Sequence, residues 1–153
     1  MSVVARKQLH PDAPIGGNGF FPELSLDDFQ KTQRVDSTAP VETLRDVLQS
    51  AIARIQRGAL DWQCQQIQLG YLSLEAVPAD TVGNETVLVL AYRLAAYLRA
   101  KGELLKHFAN ITLTEKGVDD VERKFDHSAF YFNQSARELR VLIGKPVTRV
   151  STI

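Results

Sequence analysis

Apolar residues recur along this chain at spacings of three and four over three long stretches, the period of a helix with one buried face. The first stretch runs from Pro40 to about Leu69, with Val41, Leu44, Val47/Leu48, Ala51/Ile52, Ile55, Ala59, Trp62 and Gln66 in step. Roughly thirty residues of helix would reach ~45 Å, which suits an elongated bundle better than a compact globule. Gly58 is its weak point, worth about 1 kcal/mol less than alanine in a helix interior, and marks a place for a bend. Gly70 stops it. A second helix is predicted from Asn84, read as its cap, to about Ala109. It turns Val87, Leu88, Ala91, Leu94, Ala95, Leu98, Leu105 and Phe108 inward, with Gly102 as an irregularity. The third spans about Val118–Ile143 on Val118, Val121, Phe125, Ala129, Phe132, Ala136, Leu139 and Ile143, and ends at Gly144 and Pro146. The expected core is Leu44, Leu48, Ile52, Ile55, Leu94, Leu98, Phe125, Phe132 and Leu139.

Shorter features fill the gaps. Ser25 with Asp28 three residues later is a weak capping box and opens a short helix to about Arg34. In the connector Val35–Pro40, Thr38 fits an N-cap and Pro40 a first turn. Residues 71–83 read as a loop with one helical turn after Ser73. The fold class is therefore all-α: three to four helices in an elongated bundle between two extended arms. The helical body spans 25–143. The N-terminal arm, 1–24, is broken by Pro11, Pro14, Gly16, Gly17, Gly19 and Pro22 and ends in Phe20–Phe21, two rings that either tuck into their own chain or anchor the arm elsewhere. The C-terminal tail, 144–153, holds Val147–Ile153, where five of seven residues are β-branched and favour an extended chain. No other segment reads as a strand, so this tail has no partner strand within its own chain.

Composition narrows the function without naming it. Eighteen basic residues cancel eighteen acidic ones, which argues against a chain that grips nucleic acid over its whole surface. One cysteine, Cys64, excludes an internal disulfide and a cysteine zinc site. The longest apolar run, Val87–Tyr92, stops at Arg93, far short of the ~18 residues of a membrane span. The first residues lack the continuous apolar core of a secretory signal. A soluble, intracellular protein is expected.

Catalytic patterns are missing. Gly16-Gly17-Asn18-Gly19 lacks the strand before it and the Lys-Ser/Thr after it that make a phosphate loop. The densest titratable cluster, Asp119–His127, sets Asp119 four residues from Arg123 and Asp120 four from Lys124, the spacing of surface ion pairs. His10 and His107 read as structural, Cys64 has no basic neighbour to make a reactive thiolate, and Trp62 reads as core or interface. No catalytic residue, metal ligand or cofactor is assigned. Charge is uneven, however: residues 84–109 carry Arg93, Arg99, Lys101 and Lys106 against Glu85 and Glu103. Ordinary solvation explains this, and so does contact with an acidic partner or with nucleic acid.

Several short strings, in order, resemble the tailed-phage head-completion family. They are Phe20-Phe21-Pro22-Glu23-Leu24-Ser25-Leu26-Asp27-Asp28-Phe29, Arg34-Val35-Asp36-Ser37-Thr38, Leu60-Asp61-Trp62-Gln63, Gly70-Tyr71-Leu72-Ser73-Leu74 before Val77-Pro78, and Ile143-Gly144-Lys145-Pro146. The resemblance covers about Phe20 to Ile153. It implies a non-enzymatic, cofactor-free head-to-tail adaptor of temperate contractile-tailed phages, a virion protein of the neck assembled in the bacterial cytoplasm. It also implies a homo-oligomeric ring, a dodecamer beneath the twelvefold portal, that stabilises the filled head and offers a platform for tail-terminator or neck proteins.

Within that frame the tail is expected to dock on the portal protein. Val147, Val150 and Ile153 would fill apolar pockets, Lys145 and Arg149 would meet an acidic rim, and Pro146 would release the chain from the helix. Arg93, Arg99, Lys101 and Lys106 are expected to face the channel through which packaged DNA passes, with Phe20 and Phe21 as an arm anchor. No membrane contact is expected. Two other readings compete. One is a small helical nucleic-acid-binding protein using the same four cations, although loops of about eight and fourteen residues suit a helix-turn-helix poorly. The other is an acid–base enzyme on Asp126 and His127, with no pocket signature.

Overall fold

The structure, a computed structural model, describes residues 14–36, 38–112 and 118–147. Among these, five α-helices carry the fold: α1 (Leu26–Thr32), α2 (Val41–Gly58), α3 (Leu60–Gln68), α4 (Val87–Thr112) and α5 (Val118–Leu142). Two antiparallel ribbons join them. β1 (Pro14–Ile15) pairs with β2 (Leu24–Ser25), with Ile15 opposite Leu24. β3 (Thr81–Val82) pairs with β4 (Glu85–Thr86), with Thr81 opposite Thr86. The chain is mostly helical, and the expectation of an all-α fold is corrected by these ribbons. Two-residue strands are too short to show alternation.

The predicted helix ends hold where backbone chemistry dictates them. Ser25 Oγ accepts from the Asp28 N–H at 3.2 Å and caps α1. At the end of α5, Gly144 takes φ +71° and the Lys145 N–H reaches the Arg140 carbonyl at 2.9 Å, a Schellman closure. A 3-10 turn, Leu74–Ala76, follows Ser73, whose side chain caps it. Two expected caps are wrong. Thr86, not Asn84, accepts from the Val89 N–H at the start of α4, because Asn84 is taken up by the β3–β4 turn. Asp36 rather than Thr38 organises the entry to α2, its Oδ1 accepting the Thr38 N–H at 2.9 Å.

The long first helix is broken. Ala59 (φ −102°, ψ 5°) is buried and serves both as the end of α2 and as the start of α3. The break lies one residue past Gly58, where α5 comes close: a Cβ there would stand 2.9 Å from Leu139 Cδ2.

Helix α4 lies between α2 and α5, and its broadest contact is with α5. The register expected for it is overturned at Leu94, which is 40% exposed. Ala91 and Ala95 are buried as expected, together with Val89, Tyr92, Ala96, Tyr97, Ala100, Gly102, Leu104 and Ala109, while Val87, Leu88, Leu98, Leu105 and Phe108 are half-buried. The reason is steric. The alanines and Gly102 let α5 approach closely, so the helix turns its small residues to that partner and a leucine to solvent. On α5 the correction is similar: Ala129 and Ala136 are exposed, while Ser128, Ser135 and Leu142, seven residues apart, are buried. Serine can be buried there because its hydroxyl finds a carbonyl. Ser135 Oγ donates to the Ala95 carbonyl at 2.6 Å and Ser128 Oγ to the Phe125 carbonyl at 2.8 Å. Leu44, Leu48, Ile52 and Ile55 are buried as expected; Leu98, Phe125, Phe132 and Leu139 are half-buried. The side chains of Val118 and Val121 lie outside the described residues.

Candidate interaction surfaces

The Phe pair is part of the core of its own chain. Asn18 Oδ1 accepts from the Phe20 and Phe21 N–H groups at 3.0 and 2.7 Å, a side-chain turn that aims both rings inward. Phe20 meets Trp62 of α3 edge to face at 6.0 Å, and Phe21 stacks on Tyr92 of α4 at 4.6 Å. The Phe20 carbonyl accepts from Leu74 N–H at 2.9 Å. Residues 14–25 are thereby tied to α3, α4 and the 3-10 turn. Gln56 adds a polar clamp, with Nε2 donating to the Gly16 carbonyl at 2.7 Å and to the Tyr92 hydroxyl at 3.2 Å. Burial pushes the Tyr92 phenol up to about 12.

Three of the four cations expected to face a channel are engaged inside the fold. Arg93 forms a two-pronged ion pair with Glu85, Nη1 to Oε1 at 2.9 Å and Nη2 to Oε2, which holds that carboxyl below its ordinary range. Arg99 pairs with Glu103 at 3.1 Å and lays its guanidinium over the Phe132 ring at 4.5 Å. Lys101 Nζ donates to the Gln33 carbonyl at 2.8 Å, and its desolvation there lowers its pKa. Lys106 is exposed, but it lines a groove of about 310 Å³ shared with Asp46, Glu103 and His107. These residues do not converge on one basic face.

Lys145, Pro146 and Val147 are exposed, and Arg140 Nε donates to the Pro146 carbonyl at 3.0 Å, setting the direction in which the chain leaves α5. Arg149, Val150 and Ile153 lie outside the described residues, as does His10. Asp126, His127 and Cys64 are exposed. Among the described residues no group of His, Cys, Asp and Glu could hold a metal ion, and no helix is long and apolar enough to cross a membrane. Asp119 and Asp120 have no described side chains.

What sequence periodicity missed is the surface of α3. This helix has no buried residue. Leu60, Cys64 and Ile67 are exposed on one stripe at i, i+4 and i+7, and just past the helix Leu69 and Leu72 are exposed as well, at 69% and 72%. The expected long helix has Ala59, Trp62 and Gln66 in step and assigns no role to these residues. A second apolar pair, Phe130 and Val141, is exposed on α5. Large apolar side chains stand exposed at α3 and on α5, surfaces of the kind through which proteins meet other chains.

Comparison with known proteins identifies the assembly. Residues 15–153 match the phage head completion protein (GPL) family, and the chain belongs to it. It is 26% identical over 147 residues to the head completion/stabilization protein of Escherichia phage P2, covering 93% of this chain and 85% of that one. It is also 26% identical over 140 residues to the probable head completion/stabilization protein of Haemophilus phage HP1 (strain HP1c1), covering 92% of each. No solved structure matches. The role is head completion, structural and not enzymatic, in a phage virion.

Proposed function

We propose that this protein assembles as a ring beneath the portal of a tailed phage, stabilises the DNA-filled head and presents the platform to which a tail attaches. The observation that carries the reading is the exposed apolar side chains of α3 and the turn after it, where Leu60, Ile67, Leu69 and Leu72 stand in solvent although the same chain buries a continuous core. A protein that works alone rarely leaves such a strip uncovered. The names of the P2 and HP1 relatives support the stabilising role.

The portal is contacted by the tail, Lys145–Ile153. Gly144 closes α5 and the Arg140–Pro146 bond sets the direction of the chain there, and the β-branched composition of the run that follows suits addition to a partner's strand edge. Val147, Val150 and Ile153 supply the apolar contacts, and Lys145 and Arg149 the charge. Arg93, Arg99 and Lys101 have structural duties, so channel lining by that set is not part of the proposal.

The test is complementation of DNA-filled heads made without this protein. Added protein should raise DNA retention and allow tails to join. Heads that leak equally with and without it would refute the reading.

A further inference from the structure

Charge is spread unevenly along α2 and α5. Among the described residues six arginines are exposed, Arg34, Arg54, Arg57, Arg123, Arg137 and Arg140, and four of them lie in the last two turns of these helices. From Val47 to Leu60 the charged residues are Arg54 and Arg57 alone. From Ser128 to Pro146 they are Arg137, Glu138, Arg140 and Lys145, with Glu138 half-buried. The other acids of α5 stand three turns or more before Arg137. The two helices end side by side, because a Cβ on Gly58 would stand 2.9 Å from Leu139 Cδ2. Arg54 lies one turn before Gly58 on the same face of α2, Arg57 lies next to Gly58, and Arg140 follows Leu139. Arg140 Nε donates to the Pro146 carbonyl, and the Lys145 N–H to the Arg140 carbonyl, which folds the chain after α5 back beside this corner. Asp61 enters with α3, and α4 brings Arg93 already paired with Glu85, while no described carboxylate stands within ion-pair distance of the four arginines. The helix dipoles suit Arg57 and Arg140 in the final turns but give no reason for Arg54 and Arg137 a turn earlier.

We propose that this end of the bundle, Arg54, Arg57 and Arg140 with Arg137 and Lys145 beside them, binds the phosphate backbone of duplex DNA. The surroundings favour phosphate over a protein partner. Ser50, Ala53, Asn133 and Ala136 are exposed at four or seven positions from these arginines, and all are small or polar. The exposed apolar residues of α5, Phe130 and Val141, lie on the side of the helix turned away from Leu139 and Gly58. Protein interfaces are centred on large apolar side chains, whereas surfaces that meet DNA are polar and strongly positive. Each guanidinium presents a fork of donors that matches a phosphate, and contacts of this kind carry no sequence information. The inference rests on the ring reading above, in which the protein stabilises a DNA-filled head, and adds the surface that meets the DNA. Duplex binding can be measured without a head, so the two readings fail separately.

Titration of a short fluorescent DNA duplex with the purified full-length protein, read as anisotropy over a salt series, tests it. The wild type should bind at low salt and weaken steeply as salt rises. R54Q/R57Q/R140Q should lower the affinity tenfold or more and make the log–log salt slope shallower by roughly 3, one for each arginine lost. These sites are exposed, so the variant should keep the circular dichroism and melting of the wild type. R34Q/K106Q/R123Q removes exposed cations elsewhere and should leave the affinity within about twofold of the wild type. Unlabelled duplex should release the labelled one far better than polyglutamate of equal charge. A wild type that does not bind at low salt overturns the proposal, and so does an equal loss in the control variant. Equal release by polyglutamate would make this a surface for an acidic protein and overturn it as well. On DNA-filled heads R54Q/R57Q/R140Q should load in normal copy number and retain less DNA; normal retention, or a failure to load, counts against the proposal. A wild type that binds duplex through these arginines but never loads heads would uphold the DNA surface and contradict the ring reading alone.

Discussion

The ring of Phe132 occupies the space that a side chain at Gly102 would need: a Cβ on Gly102 would stand 2.6 Å from Phe132 Cε1. This contact, with the Ser135–Ala95 hydrogen bond, sets how closely α4 and α5 pack. It also gives the helix-interior glycine a reason to be there. Alanine at 102 would gain about 1 kcal/mol of helix propensity but overpack the interface at ~1–3 kcal/mol. Gly102→Ala should therefore destabilise the protein by about 1 kcal/mol in denaturant unfolding. In a Phe132→Ala background the sign should reverse and the same substitution stabilise by about 1 kcal/mol. A stabilising Gly102→Ala in the wild-type background would show that the ring moves aside freely.

Alkaline pH should weaken the fold through two buried tyrosines. Burial raises the Tyr92 phenol to about 12, and burial with a 2.7 Å hydrogen bond to Asp28 raises Tyr97 as well. In the unfolded chain each phenol loses its proton near 10. Above that pH the unfolded state binds fewer protons than the folded one, so stability falls as pH rises. The contribution is complete below pH ~10, and for Tyr92 roughly 2 kcal/mol should be lost by pH ~12. Melting temperature measured from pH 8 to 12 should drop over this window. Tyr92→Phe, which keeps the stack on Phe21, should flatten the slope; an unchanged slope would mean that other groups govern it.

Arg34 offers a chance to stabilise the chain. It holds φ +51° as the residue that closes α1, with the Val35 N–H bonded to the Gln30 carbonyl at 3.0 Å. A non-glycine residue there costs ~1–2 kcal/mol, partly offset in an Arg34→Gly variant by the greater freedom of the unfolded chain. The variant should melt higher by an amount equal to about 0.5–1 kcal/mol. A lower melting temperature would point to a need for the arginine side chain.

The extent to which sequence foretold structure differs from element to element. Gly144, Ser25 and Ser73 were legible because caps act through the backbone within a few residues. Leu44, Leu48, Ile52 and Ile55 were legible because α2 presents one apolar face. Leu94 was not, because α4 is apolar nearly all round, so periodicity leaves its rotation open and packing against α5 decides it. Ser128 and Ser135 were missed because burial of serine depends on a carbonyl from elsewhere. The exposed stripe on α3 escapes periodicity because Leu60 and Ile67 lie off the face on which Trp62 and Gln66 continue the pattern of α2, and an apolar residue off the buried face carries no signal of its own. Arg93, Arg99 and Lys101 looked like free charge because two of their partners, Gln33 and the Phe132 ring, are distant in sequence.

Removal of the tail separates attachment from folding. Val147 is exposed, and α5 is closed by Gly144 before the tail begins. Deleting Val147–Ile153 should leave helical content unchanged and shift the melting transition by less than about 0.5 kcal/mol in stability. The same deletion should abolish binding to portal-bearing heads in a sedimentation assay. Normal binding by the shortened chain would place attachment in the helical body.

Electron microscopy of DNA-filled, portal-bearing heads, before and after addition of the purified protein, tests the ring beneath the portal most directly. A new ring of density should appear directly beneath the portal, with multiple copies of the helical subunit in contact with one another and their C-terminal ends toward the portal. Heads with no added density at that vertex, or with the protein bound elsewhere on the shell, would contradict it.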